Sequence, residues 1–384
     1  MNNDKKTKST IMKSRRDFIK AASAASGIAA LGGVAPMLMS KKANAAPREM
    51  TLLAWYGHGE KDIVEAFEQA NNCKVKAKYY TGGDNMLALI AQSPPGTYDV
   101  VLSDAEYVLQ LKEAGFVEKL NPSDYPFDDY WPEFQRFGGH WSGKELYSVA
   151  LRFGFLGVSY NSENISEKEA MSYSLLWDEK LKGRVGHFDW HLPNLGCMSM
   201  YMGNPNPYDI NQKKFEALTS KTMEIRSQVN GFYDYGGTFS SLKNGQIQAM
   251  CGIGDWITGV LQKDGSPVRT VIPEEGGLQW TESLCIGKNA KNHDLARKFI
   301  QYMSSPEGQV RSANMAAYPA AIVNKKAWEL LAKVTPEEAK RQRMELGKDN
   351  VISDIRNGRV KYRTLPVQQS LETWNDFWLE YKNS

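Results

Sequence analysis

The chain is poor in the residues that hydrolytic and metal chemistry depend on. Of its 384 residues only five are His and four are Cys. Cys73, Cys197, Cys251 and Cys285 form no C-x-x-C pair, which excludes zinc-ribbon and thioredoxin-like motifs. There is no G-x-S-x-G elbow, no H-E-x-x-H, no G-x-x-x-x-G-K-[ST] and no G-x-G-x-x-G, and the stretch "GIGDWI" lacks the third glycine. No nucleophile with its base is recognisable, so neither an enzyme nor a bound cofactor is expected. Low-complexity tracts and fixed-period repeats are missing, which leaves an ordinary globular chain long enough for two domains. Past the N-terminal segment no run approaches about 18 consecutive apolar residues, so a soluble mature protein is expected.

The N-terminal segment is a different object. "SRRDFIKAASAASGIAALGGVAPMLMSKKANAAP" carries Arg15-Arg16, then Phe18, a weakly apolar Ala/Gly-rich run, Lys41-Lys42 and an A-x-A site at Ala43-Asn44-Ala45. This is the twin-arginine export pattern, which predicts removal of residues 1–45 and a periplasmic destination. That segment holds nine Lys/Arg and two Asp/Glu, so the remainder has 38 basic and 42 acidic side chains and the formal +3 charge belongs to the leader. A nucleic-acid partner, which needs a basic footprint, is disfavoured. Twin-arginine cargo folds in a reducing compartment, so the cysteines are expected as buried thiols.

Strand-like and helical stretches alternate from residue 49 to 116. "EMTLLAWYG", "KVKAKYY" and "YDVVLSD" read as strands; "EKDIVEAFEQANN", "NMLALIAQ" and "AEYVLQLKEAGF" read as helices. This predicts βαβ units and a parallel sheet with helices on both faces. "KELYSVALRFGFLGVSYN" is one long strand with Gly154 and Gly157 inside it, and "QWTESLCIG" mirrors it later. Between them lies a middle region with strands of its own, and helices follow to the C-terminus. The pattern is one α/β domain interrupted by another and joined by two crossing strands. The expected units are 46–154 with 277–384 as one lobe and 155–276 as the other.

The second crossing strand poses a chemical question. In "GGLQWTESLCI", Trp280 and Glu282 stand two apart, so a strand aims both at one face. Crossing segments border an interdomain cleft, where pockets form. In an α/β sheet the carboxyl ends of the strands face the ligand as well. Trp55 and Tyr56 after the first strand, Asp104 and Glu106 after the third, and Asp255-Trp256 after "GIG" all stand at such ends. Ordinary roles compete for several of them: a helix cap for Asp104 or Asp255, a packed indole for Trp256, a solvated loop carboxylate for Asp189.

"FLGVSYNSENI", "VIPEEGGLQWTESLCIGKNAKN" and "AAYPA" resemble the extracytoplasmic solute-binding proteins of ABC importers, in their spermidine/putrescine-binding branch. The resemblance runs weakly over nearly the whole mature chain and is most specific in E-G-G…W-x-[DE]-S-L followed by K-N-A-K-N. It implies a periplasmic-binding-protein fold of the type II kind: two α/β lobes around a hinge that close on one ligand. It also implies a polyamine as ligand, a membrane permease as partner and a monomeric receptor. In that family aromatic rings sandwich the methylene chain and carboxylates take the ammonium ends. Trp280 matches the family's tryptophan, Glu282 its aspartate, Trp55 an aromatic after the first strand, Tyr318 a ligand-contacting tyrosine and Asp189 an acid at the mouth of the second lobe. Three places depart: Ser103-Asp104-Ala105-Glu106 brings extra charge, Gly254 stands where the family has tryptophan, and His58 stands near the place of a tyrosine. The rivals are a quaternary ammonium ligand in an aromatic box, an anionic ligand using Arg152, and a metal-binding protein using His187 and His191, which share a face with Asp189 if "GHFDWH" is extended.

Overall fold

In the computed structural model residues 46–347 and 349–384 are described; the leader pattern, including Arg15 and Arg16, lies outside them. The body is built on an eleven-stranded curled sheet: β1 Arg48–Ala54, β2 Cys73–Tyr79, β3 Val100–Asp104, β4 Val149–Asn161, β5 Val185–Phe188, β6 Val229–Tyr233, β7 Ala249–Gly254, β8 Val268–Val271, β9 Gly277–Ile286, β10 Ala321–Ile322 and β11 Val360–Tyr362. The main path runs β2-β1-β3-β9-β4-β7-β5-β6, with β8 and β10 on β4 and β11 on β9. β1 pairs in parallel with both β2 and β3, as the alternating pattern predicts.

The first βαβ unit follows from local spacing. α1 (Lys61–Asn71) buries Ile63, Val64 and Phe67, a helical stripe, and ends at Asn72 in the left-handed region (φ 45). β2 is an edge strand and alternates strictly, exposing Lys74 and Lys76, a charge pattern that blunts edge-to-edge pairing. β3 lies inside the sheet and is buried throughout: Val100 and Leu102 enter one apolar cluster, Val101 the other. α2 (Gly83–Ala91) passes so close to Tyr107 that a Cβ on Gly83 would lie 2.0 Å from the ring.

β4 and β9 are the two crossing strands, antiparallel, with Leu278 opposite Leu156, Trp280 opposite Gly154 and Glu282 opposite Arg152. On its other side β9 pairs with β3, placing Glu282 opposite Asp104. Asp104, Glu282 and Arg152 therefore form one lateral row across three strands. Past this row β4 continues into the strands of the middle region through β7 and β8. There α3 (His191–Tyr201) follows β5, α4 (Tyr235–Lys243) follows β6, and α5 (Asp255–Lys263) follows β7. Among the helices after β9 are α6 (His293–Ser304), α7 (Pro336–Arg341) and the last one, α8 (Leu371–Asn383). α8 packs against the middle region, with Trp374 stacked on Tyr208 and near Phe215, and Trp378 edge-on to His187. The four cysteines are buried and unpaired. Among the described residues no helix is long and apolar enough to cross a membrane.

Candidate functional site

The answer to the Trp280/Glu282 question begins with their partners. Trp280 lies flat against Gly154, where a Cβ would stand 2.6 Å from the indole, so only glycine leaves room for the ring. Glu282 is buried, and both of its oxygens are engaged. Oε2 accepts from Arg152 Nε (2.6 Å) and faces His58 Nε2 (2.9 Å), while Oε1 accepts from Tyr318 Oη (2.9 Å). Arg152 is wholly buried, donates to Tyr318 O (3.1 Å), and stacks 4.2 Å from the Tyr318 ring. Burial by itself raises a carboxyl pKa; here Arg152 and His58 overturn that and hold Glu282 at about 2. Burial, with Arg152 beside it, lowers the His58 pKa.

A second charged cluster stands one strand away. Asp104 Oδ1 accepts from Arg363 Nη2 (2.6 Å) and Oδ2 from Trp55 Nε1 (2.9 Å). Glu106 Oε1 accepts from Arg363 Nε. Neither carboxylate caps the short turn that starts at Ala105. Arg363 follows β11, and its backbone N–H donates to Gln279 O, which brings it beside Trp280 in the chain. Its guanidinium lies 4.5 Å from the Trp190 ring. Burial pushes the Glu106 carboxyl up to about 7 despite Arg363, with Asp104 adding to the rise.

Aromatic rings close around these charges. Trp55 contacts Tyr80 (4.8 Å) and Trp190 (5.8 Å between centroids), and Tyr56 faces Tyr79 and Tyr235. Trp256 is stacked on Tyr235 and edge-on to Tyr318. A cavity of about 430 Å³ opens beside Trp256 and Trp280, between the crossing strands, α5 and α7.

The structure thus gathers Trp55, Asp104, Glu106, Trp280, Glu282 and Tyr318 around the crossing strands, with Tyr56 and Trp256 beside them. The other two candidates are taken up by cations: Asp189 lies away from the crossing strands, whereas Asp255 lines the cavity beside Trp256. Asp189 is bound to Lys382 Nζ (2.6 Å) and Trp378 Nε1 (3.1 Å) on α8. Asp255 accepts from Arg341 Nη1 (2.6 Å), and the Nε of the same guanidinium donates to Glu338. The metal arrangement fails on local geometry. "GHFDWH" is not one extended face, because His191 opens α3 while His187 lies in β5. The two nitrogens of His187 face Asn194 and Tyr381. Among the described residues no group of three His, Cys, Asp or Glu is placed to hold a metal ion.

Sequence reasoning named Arg152 only for an anionic ligand and missed Arg363. Arg363 lies some 80 residues from Trp280 in a stretch, "VKYRTLP", with no motif, and Arg152 gave no sign that it faces Glu282. Tyr80, directly after β2, was readable as a strand-end aromatic.

The sequence model of the bacterial extracellular solute-binding protein family matches residues 62–340. The chain belongs to this family, an extracytoplasmic and non-catalytic class of transport component. It is similar to the spermidine/putrescine-binding periplasmic protein of Escherichia coli K12, with 24% identity over 69% of this chain and 75% of the other. It is also similar to a putrescine/agmatine-binding protein of Pseudomonas aeruginosa, with 22% identity over 72% and 78%. Its fold matches the spermidine/putrescine ABC transporter substrate-binding protein PotD of Streptococcus pneumoniae, with TM-score 0.69 and 19% identity over 88% and 99%. The architecture is therefore the two-lobe periplasmic-binding-protein fold with crossing strands.

Proposed function

We propose that the chain is the ligand receptor of an ABC importer, exported by the twin-arginine route, which captures a small organic amine between its lobes and hands it to a membrane permease. One observation carries this reading. Trp55 and Tyr318 donate to the buried carboxylates of Asp104 and Glu282 at the crossing strands, with Trp190 against Trp55, and aromatic rings beside carboxylates are the chemistry that receives an ammonium group on an alkyl chain. The names of the relatives, which bind spermidine, putrescine or agmatine, support a polyamine. We place the lobe boundaries at the crossing strands, with residues 46–154 and 277–384 as one lobe and 155–276 as the other, α8 of the first packing against the second. Closure brings the two halves of the site together only when a ligand bridges them.

Calorimetry of the leaderless protein with putrescine, spermidine, agmatine, choline and 4-aminobutyrate tests the proposal. Saturable binding of any amine supports it, and choline alone would favour the quaternary ammonium form. Binding of none of them, alongside binding of a neutral or purely anionic solute, overturns it. A second reading, an anionic ligand, has its own support: each carboxylate nominated as an ammonium partner is already paired with a cation of this chain.

A further inference from the structure

Buried polar atoms in the interlobe region are unevenly satisfied. A diamine needs two acceptor groups, one for each ammonium. Glu282 has spent both oxygens on Arg152, His58 and Tyr318, and Asp104 has spent both on Arg363 and Trp55. Glu106 has spent only Oε1; its Oε2 is buried with no hydrogen-bond partner among the described residues. Buried donors, by contrast, are left over. The indole N–H groups of Trp190 and Trp280 and the hydroxyls of Tyr107 and Tyr362 have no partner among the described residues, and neither has His191 Nε2.

The indoles, Tyr107 and His191 belong to one neighbourhood. Trp190 lies over Arg363, and Arg363 stands one step past the Gln279–Tyr362 pair in the strand register, as Trp280 does, whereas Tyr362 itself faces the other side of the sheet, against Phe137, and takes no part. Tyr107 follows Glu106 in the chain, and His191 follows Trp190 with Asp84 3.9 Å away. Trp190, Tyr107, His191 and Trp280 are each more than nine-tenths buried. A buried donor without an acceptor is costly, so a ligand that supplies the acceptor is favoured. The fixed charges agree. Asp104, Glu106 and Glu282 stand against Arg152 and Arg363, so the three carboxyl groups leave at most one negative charge uncompensated, never two. A second ammonium would meet a guanidinium.

Resting on the amine reading above, we infer that the cleft selects an ω-aminocarboxylate. In this arrangement a single ammonium is received at Glu106, a carboxylate is received by the indole and phenol donors, and Arg363 is the residue that sets the selection. Removing Arg363 would free Asp104 and Glu106 together and turn the site towards a dication. Arg363 is thus a specificity determinant through the two carboxylates it neutralises as well as through its own charge.

Calorimetry with 4-aminobutyrate, 5-aminovalerate, putrescine, spermidine, n-butylamine and butyrate tests this. An aminocarboxylate is expected to bind at least tenfold more tightly than putrescine, n-butylamine or butyrate. In Arg363→Gln the ratio of putrescine to 4-aminobutyrate affinity is expected to move at least tenfold towards the diamine. If that variant does not fold by circular dichroism, Arg363→Lys, which keeps the charge, is expected to retain the parent's order of preference. Putrescine or spermidine bound as tightly as the aminocarboxylates overturns this inference and leaves the amine reading standing. An unchanged ratio in folded Arg363→Gln, or a reversed order in Arg363→Lys, overturns the role of Arg363. No binding of any amine, with some other solute bound, overturns both readings.

Discussion

Arg152 Nε lies 2.6 Å from Glu282 Oε2, and neither side chain reaches solvent. A carboxylate whose sequence position nominates it for a ligand is thereby tied into the fold. Breaking a buried pair from one side strands the other charge, at a cost of about 3–5 kcal/mol. Glu282→Gln is expected to lower unfolding free energy by that order in urea denaturation, and not only to weaken ligand binding. A loss below about 1 kcal/mol, with affinity reduced a hundredfold, would return Glu282 to the role of ligand contact.

Two buried carboxylates give pH dependences of opposite sign. Glu282 is held at about 2 in the folded chain, below an ordinary carboxyl near 4.5. Its contribution is therefore present above pH 4.5 and is lost as pH falls towards 2, by about 3 kcal/mol. Glu106, raised to about 7, favours its protonated form in the folded state, so it erodes stability as pH rises from 4.5 to 7. Unfolding curves across pH 2–8 should show both arms. Glu106→Gln should flatten the upper one; if the slope between pH 5 and 7 survives in that variant, the group responsible lies elsewhere.

Gly154 and Trp280 form a matched pair. Gly154→Ala places a methyl carbon about 2.6 Å from the indole, so the ring must move. Overpacking of this kind costs about 1–3 kcal/mol. The displaced ring should also lower affinity for the bound amine about tenfold, comparable to the loss of a cation–π contact. Unchanged affinity in a destabilised Gly154→Ala would assign Trp280 to packing alone.

Arg341 on α7 bridges Asp255 on α5 and Glu338, and Lys263 at the end of α5 reaches Glu338 at 2.8 Å. The group ties the middle region to the C-terminal part of the chain. Because Asp255 is partly exposed, the tie is worth about 0.5–1 kcal/mol and is screened by salt. Arg341→Gln should weaken ligand binding about two- to fivefold at low salt, with the difference shrinking at 1 M NaCl. An equal deficit at both salt concentrations would mean that Arg341 acts through packing.

The proposed twin-arginine pattern gives a prediction independent of the site. Replacing Arg15 and Arg16 together by Lys should leave unprocessed precursor in the cytoplasm, because the arginine pair is read by a receptor. Normal processing and export of that variant would remove the twin-arginine assignment.

Much of the scaffold was legible in the chain itself. Alternating apolar periods gave the βαβ units, because a strand buried on both faces and a helix buried on one leave different spacings. The two-residue spacing of Trp280 and Glu282 placed them on one face, and chain order made the two long strands the crossings. What only tertiary structure decided is the charge state of the cleft. Arg152 meets Glu282 through strand pairing across 130 residues, and Arg363 meets Asp104 and Glu106 across more than 250. Such pairings leave no periodic trace, since Coulomb attraction depends on distance in space and not along the sequence. The same holds for Asp189 and Asp255. Each sits at a strand end as expected, yet the partner it takes, Lys382 or Arg341, comes from a helix whose docking the sequence does not encode locally.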